Sequence, residues 1–216
     1  MNVPYYRVVQ CGTWLLLRLG FGLEVRGHTH VPSSGPFIVA SNHLSYLDPV
    51  VVGVASPRPL SFMARASLYR HPLMRWFLNN MGVIPILREA GDLAAVREAV
   101  RRLQQGEPIA IFPEGQRQYA DELGQVKRGV GLIAAMARVP IVPVVIRGTF
   151  DALPRGSRWP RRAKIRVAFG PRIPYTDDRF AAGQPSTRTG RTAHQEALAE
   201  AIMQSWRQLQ HELDRR

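Results

Sequence analysis

A histidine and an aspartate stand close together in Asn42-His43-Leu44-Ser45-Tyr46-Leu47-Asp48. Histidine exchanges a proton near neutral pH. A carboxylate on its second ring nitrogen fixes the tautomer and stabilises the imidazolium. On one continuous helix the two residues would point about 140° apart. A pairing therefore needs a turn, and His43 at a strand end with Asp48 at the next helix start supplies one. The same residue types also fit an ordinary helix N-cap and a surface loop histidine. A second cluster, Phe112-Pro113-Glu114-Gly115-Gln116-Arg117, sets an acid and an arginine on a Pro/Gly turn. Arg117 has the fork that grips a phosphate. Glu114 can orient a hydroxyl or hold Arg117, and a plain turn with a local ion pair fits equally. Arg88 ends the run Gly82-Val83-Ile84-Pro85-Ile86-Leu87-Arg88, and Lys127-Arg128-Gly129 is a basic turn before a helix whose N-terminus favours anions. Each taken singly also suits a solvated cation.

Short apolar runs alternating with helical patterns must position these groups. Strands are predicted at Phe37–Ala40, Leu60–Ala64, Val83–Leu87, Pro108–Phe112 and Ile141–Ile146, with an edge strand at Lys164–Phe169. Helices are predicted from Asp48, with Asp48 as N-cap and Pro49 following, and over His71–Met81, Asp92–Gln105, Gly129–Ala137 and Thr192–Leu213. Gly170–Gly190 reads as a loop. The order predicts an α/β fold with a mostly parallel central sheet flanked by helices. Ligands of such sheets bind beyond the carboxyl ends of the strands, where both polar clusters fall.

The 216 residues fit one main domain, 27–216, preceded by a segment 1–26. The stretch Val8–Leu23 is strongly apolar but interrupted by Arg18. At roughly 1.5 Å per residue it spans about 24 Å, short of the ~30 Å bilayer core. It is expected to lie in a membrane interface, with Arg7, Arg18 and Arg26 toward headgroups and Trp14 at the boundary. A buried first helix is the competing expectation.

The 29 Lys+Arg against 16 Asp+Glu give a net charge of +13, compatible with nucleic acid, an anionic membrane or phosphorylated substrates. The basic residues are dispersed and no nucleic-acid motif is present, so nucleic acid is not the expected partner. Cys11 alone excludes an internal disulfide and a multi-cysteine zinc site. No P-loop, dinucleotide fingerprint, H-E-x-x-H or G-x-S-x-G pattern occurs.

Four ordered blocks, N-H-x4-D, G-V-I-P-I-L-R, F-P-E-G-x-R and the I-V-P-V of Ile141–Val144, together resemble the glycerol-3-phosphate and lysophosphatidate acyltransferases over about Gly27 to Gly148. The resemblance implies a glycerol-3-phosphate acyltransferase-like fold and transfer of a fatty acyl group to the sn-2 hydroxyl of 1-acyl-glycerol-3-phosphate. It implies His43 as general base and Asp48 as its orienting partner. Glu114, Gly115 and Arg117 would bind the glycerol phosphate, with Arg88 and Lys127 adding phosphate contacts. Pro143 would shape the acyl or acceptor site. No cofactor is implied: acyl-CoA or acyl-ACP is the co-substrate, so acyl carrier protein is one expected partner beside the lysophospholipid acceptor and an anionic membrane. A peripheral or monotopic place on the cytoplasmic face of the cell membrane follows. Gln116 and Gln118 stand where the family usually has Thr and Ser. They leave open a different lysolipid or an amino-acid lipid as acceptor. Pro85 replaces a common aromatic.

Overall fold

In a computed structural model of the chain, residues 1–86, 93–175 and 188–215 are described, the last segment without side-chain detail for 188–191. Arg88 lies outside these residues, as do most of the predicted 170–190 loop and the end of the predicted strand at Leu87.

The first helix, α1 (Val3–Phe21), starts earlier than the apolar run suggests because the Asn2 side chain accepts the Tyr5 N–H and Pro4 occupies the first turn. It ends at Gly22, whose φ of 56° is left-handed. One face packs inward through Tyr6, Gln10 and Leu17. Gln10 Nε2 donates to the carbonyls of Gly53 and Ser56, at 2.8 Å each, in and just after α2 (Asp48–Ala55). The other face exposes Val8, Leu16 and Leu19. Two of the arginines expected to face headgroups are bonded within the protein: Arg7 donates to Gln10 and the Pro57 carbonyl, and Arg18 to the Leu23 carbonyl. Arg26 lies 4.0 Å from Glu24. No helix among the described residues is long and apolar enough to cross a membrane.

Among the described residues the sheet has seven strands, in the order β1-β7-β6-β2-β5-β3-β4. Its centre is β2 (Ile38–Ser41), parallel to β5 (Ile109–Ile111) and β6 (Ile141–Arg147). Beyond β5 lie β3 (Ser61–Arg65) and β4 (Ile84–Ile86), also parallel. On the other side β7 (Arg166–Phe169) runs antiparallel to β6 and carries β1 (Glu24–Arg26) on its outer edge. β7 is therefore not the predicted edge strand: the short, half-buried β1 covers it. Pro85 sits on β4, the opposite edge, where a missing N–H leaves no ladder bond unmade on the open side.

Helices α3 (Pro72–Asn80), α4 (Leu93–Gln104), α5 (Gly129–Ala137), the short α6 (Thr149–Ala152) and α7 (Arg188–Asp214) complete the elements among the described residues, with 3-10 turns at His28–His30 and Ala66–Arg70. Alternate residues along β2 and the residue before it serve opposite faces: Ile38 and Ala40 pack with α4, α5 and α7, while Phe37, just ahead of the strand, and Val39 pack with α1, α2 and α3. Burial on both faces explains why the central strands read as continuous apolar runs. Trp206 of α7, fully buried, donates Nε1 to the Ala40 carbonyl at 3.0 Å and fixes the helix against the end of β2.

Candidate active site

The chain leaves β2 under the control of Asn42. Its side chain donates to the Ile146 carbonyl at 3.0 Å and accepts the Ile146 N–H at 2.8 Å. This side-chain ladder rung ties the strand end to β6 and turns the backbone into the His43–Asp48 loop. There His43 Nδ1 lies 2.8 Å from Asp48 Oδ2. The same oxygen accepts the N–H groups of Leu44 and Ser45 at 2.6 Å each. The Asp48 carboxylate, fully buried, thus reaches back over the loop. It does not cap the helix ahead, as the sequence suggested: Leu47 holds the cap position and Asp48 is the first helical residue. A carboxylate at a helix start is favoured by the dipole. With Nδ1 donating to Asp48, a neutral His43 keeps its lone pair on Nε2.

The Phe112–Arg117 turn packs against this loop. The Phe112 ring stacks on the His43 imidazole, centroids 4.3 Å apart and planes at 25°. Glu114, only 3% exposed, accepts the His43 and Gly124 N–H groups at Oε1, both at 3.3 Å. Its Oε2 accepts Gln118 Nε2 at 2.7 Å. Burial pushes the Glu114 carboxyl up to about 7; the three hydrogen bonds oppose this and the Asp48 charge adds to it. Glu114 therefore supports the His43 backbone, and of the roles open to it from sequence, an ion pair with Arg117 is not formed. Arg117 instead lies with its guanidinium 3.5 Å over the Tyr46 ring, and its Nη1 is buried without a hydrogen-bond partner.

One cavity of about 900 Å³ joins these parts. Its polar end includes His43, Gly115, Gln116, Arg117 and Lys127, and its apolar wall includes Phe62, Leu78, Val83, Ile111 and Ile133. Four of the sequence-selected residues thus share a wall, Asp48 and Glu114 lie behind it, and Arg88 is not described. Arg128, next to Lys127, pairs with Glu196 at 3.1 Å and faces a separate hollow beside α7. Tyr46, Phe112 and Asn42 were not singled out from sequence. An aromatic inside the His–Asp spacing and another just before Pro-Glu-Gly were the available signals.

The α/β sheet thus carries at a strand end a His–Asp pair whose carboxylate is buried, opening on an apolar cavity with cations at its rim. Residues 22–147, more than half of the chain, match the acyltransferase family model, and the chain belongs to the acyltransferase family. It is 27% identical over 201 residues to the 1-acyl-sn-glycerol-3-phosphate acyltransferase of Bacillus subtilis, covering 93% of this chain and 94% of that protein. It is 34% identical over 161 residues to the bovine (Bos taurus) 1-acyl-sn-glycerol-3-phosphate acyltransferase alpha, 72% of this chain and 55% of that one. The chain spans only 40% of the chloroplastic 1-acyl-sn-glycerol-3-phosphate acyltransferase BAT2 of Brassica napus, at 30% identity over 137 residues. The crystal structure of the 1-acyl-sn-glycerophosphate acyltransferase of Thermotoga maritima superposes with a TM-score of 0.77 at 21% identity, covering 98% of this chain and 81% of that one, and so shares the fold.

Proposed function

We propose that this acyltransferase moves a fatty acyl group from an acyl thioester, acyl-CoA or acyl-ACP, to the sn-2 hydroxyl of 1-acyl-glycerol-3-phosphate, giving phosphatidate. The observation that carries the mechanism is the 2.8 Å contact of His43 Nδ1 with Asp48. His43 Nε2 takes the proton of the acceptor hydroxyl as its oxygen attacks the thioester carbonyl. Asp48 stabilises the imidazolium. The C–S bond then breaks, and the leaving thiol recovers the proton from His43. Arg117 and Lys127, on the same wall, hold the acceptor phosphate. The apolar part of the cavity houses an acyl chain. The exposed apolar face of α1 rests on the cytoplasmic surface of an anionic membrane, which presents the acceptor.

Purified full-length protein is assayed with lysophosphatidate and each donor. His43→Ala abolishes turnover with an unchanged circular dichroism spectrum and melting point; full activity in that variant would sink the mechanism. Gln116 on the cavity wall favours one second reading, another lysolipid or an amino-acid lipid as acceptor. A panel of acceptors separates the two by kcat/KM.

A further inference from the structure

Arg117 is held in an unusual way for a cation beside a carboxylate. A guanidinium gripped by Glu or Asp loses in-plane donors to the acid. A guanidinium stacked on an aromatic face keeps all its N–H groups for a ligand, because the ring meets its flat side. The nearest acid in the turn, Glu114, is already bonded to His43, Gln118 and Gly124. Arg117 lies 3.5 Å over Tyr46, with Nη1 buried and unpartnered, and both residues line the cavity that holds His43. Tyr46 belongs to the His43–Asp48 loop. Its neighbours there face inward: Leu44 is buried, and the Ser45 hydroxyl donates to the Leu153 carbonyl at 2.7 Å. Tyr46 is 66% exposed, so burial does not account for its aromatic ring. A backbone contact braces the arginine from the other side, where Arg155, itself over the Tyr119 ring, donates to the Arg117 carbonyl.

We propose that Tyr46 is a positioning residue that fixes the Arg117 guanidinium, with no carboxylate on its N–H groups, for the phosphate of the acceptor, and so locks the phosphate grip to the same loop that carries the base. This rests on the reading of the site given above. The ring couples distance and orientation: the acceptor's phosphate is held at a set place relative to His43, without a carboxylate to repel it.

The test compares Tyr46→Leu, Tyr46→Phe and Arg117→Ala in the full chain, by steady-state kinetics and by calorimetric binding of glycerol 3-phosphate. Tyr46→Leu raises the acceptor KM about tenfold, the scale of a partly desolvated cation–π contact, and leaves kcat and the donor KM near their starting values. Tyr46→Phe keeps the ring and restores the acceptor KM. In the Arg117→Ala background Tyr46→Leu adds nothing, as a double-mutant cycle requires of a residue acting through another. Equal loss toward both substrates, or additive effects of the two variants, overturns the assignment. If the parent protein binds glycerol 3-phosphate in a Tyr46-dependent way but does not acylate lysophosphatidate, the functional reading falls and the positioning role stands. If it acylates lysophosphatidate and Tyr46→Leu behaves as the parent, the positioning role falls alone.

Discussion

Lys127 Nζ stands 2.7 Å from the point a β-carbon would occupy on Gly115, whose φ is +76°. The Phe112–Gly115 turn can therefore press close to the lysine only with glycine there. Gly115→Ala meets the mobile end of a side chain, so the clash is relieved by moving Lys127. The left-handed backbone is not relieved, and costs about 1–2 kcal/mol for a residue with a β-carbon. The variant is expected to lose about that much in urea unfolding and to show a raised acceptor KM, because Lys127 is displaced from the cavity wall. A variant with parent stability and KM contradicts both parts.

Asp48 binds three donors with one oxygen: His43 Nδ1 and the N–H groups of Leu44 and Ser45. Asp48→Ala orphans two buried amides, each costing about 1–3 kcal/mol, and is expected to be poorly folded. Asp48→Asn keeps an oxygen for the amides but no longer stabilises an imidazolium. Its kcat is expected to fall by about two to four orders of magnitude with a much smaller loss in unfolding free energy than Ala. Equal loss of stability in the two variants, measured in urea, speaks against this division of labour.

Glu114 predicts a pH dependence of stability. Its ordinary value of 4.5 is pushed to about 7 in the fold, chiefly by burial. Between those two values the unfolded chain has released the proton while the folded chain retains it. The folded state binds more protons there, so stability falls as pH rises across that window and levels off above it. The contribution lost is on the order of 3 kcal/mol. Glu114→Gln keeps an oxygen for the His43 and Gly124 amides and removes the titration. The difference in unfolding free energy between variant and parent should therefore grow in favour of the variant from pH 5 to 8. A constant difference rejects the assignment.

The exposed face of α1 carries the membrane reading. Leu16 and Leu19 are 70% and 72% exposed, so glutamate at both disturbs no packed contact. Binding of Leu16→Glu/Leu19→Glu to vesicles containing an anionic lipid is expected to drop at least about tenfold, since two apolar contacts are lost and two like charges meet the surface. Sedimentation with vesicles measures it, and an unchanged melting point shows that the fold is kept. Undiminished sedimentation removes α1 as the contact.

Much of this architecture could be read from sequence because its physical causes are local. The central strands are buried on both faces and appear as unbroken apolar runs. β1 was missed for the opposite reason: Glu24-Val25-Arg26 is short and half-buried, and its partner is distant in the chain. β7 looks like an edge because Lys164–Phe169 alternates charged or small residues with apolar ones. Asp48 was recognised, but an aspartate before Pro49 fits a cap and a histidine partner equally; only the direction of the carboxylate separates them. The family resemblance places Glu114 at the acceptor phosphate, and the motif alone does not show that its carboxylate is buried. Its three hydrogen bonds reach residues brought together by the fold, and Gln118, a departure from the usual pattern, is engaged there. Gln116, which lines the cavity, is left as the departure that touches the acceptor question.

The pairing of Glu24–Arg26 with Arg166–Ala168 has a consequence for biosynthesis. About 140 residues must leave the ribosome after β1 before its partner exists, and sheet contacts that close such long segments form slowly. The outer apolar face of α1 is open to solvent during that interval, as it is in the finished fold. A nascent chain halted short of β7 would present an unpaired β1 next to the exposed apolar face of α1, a natural point for chaperone capture or for early contact with a bilayer during synthesis.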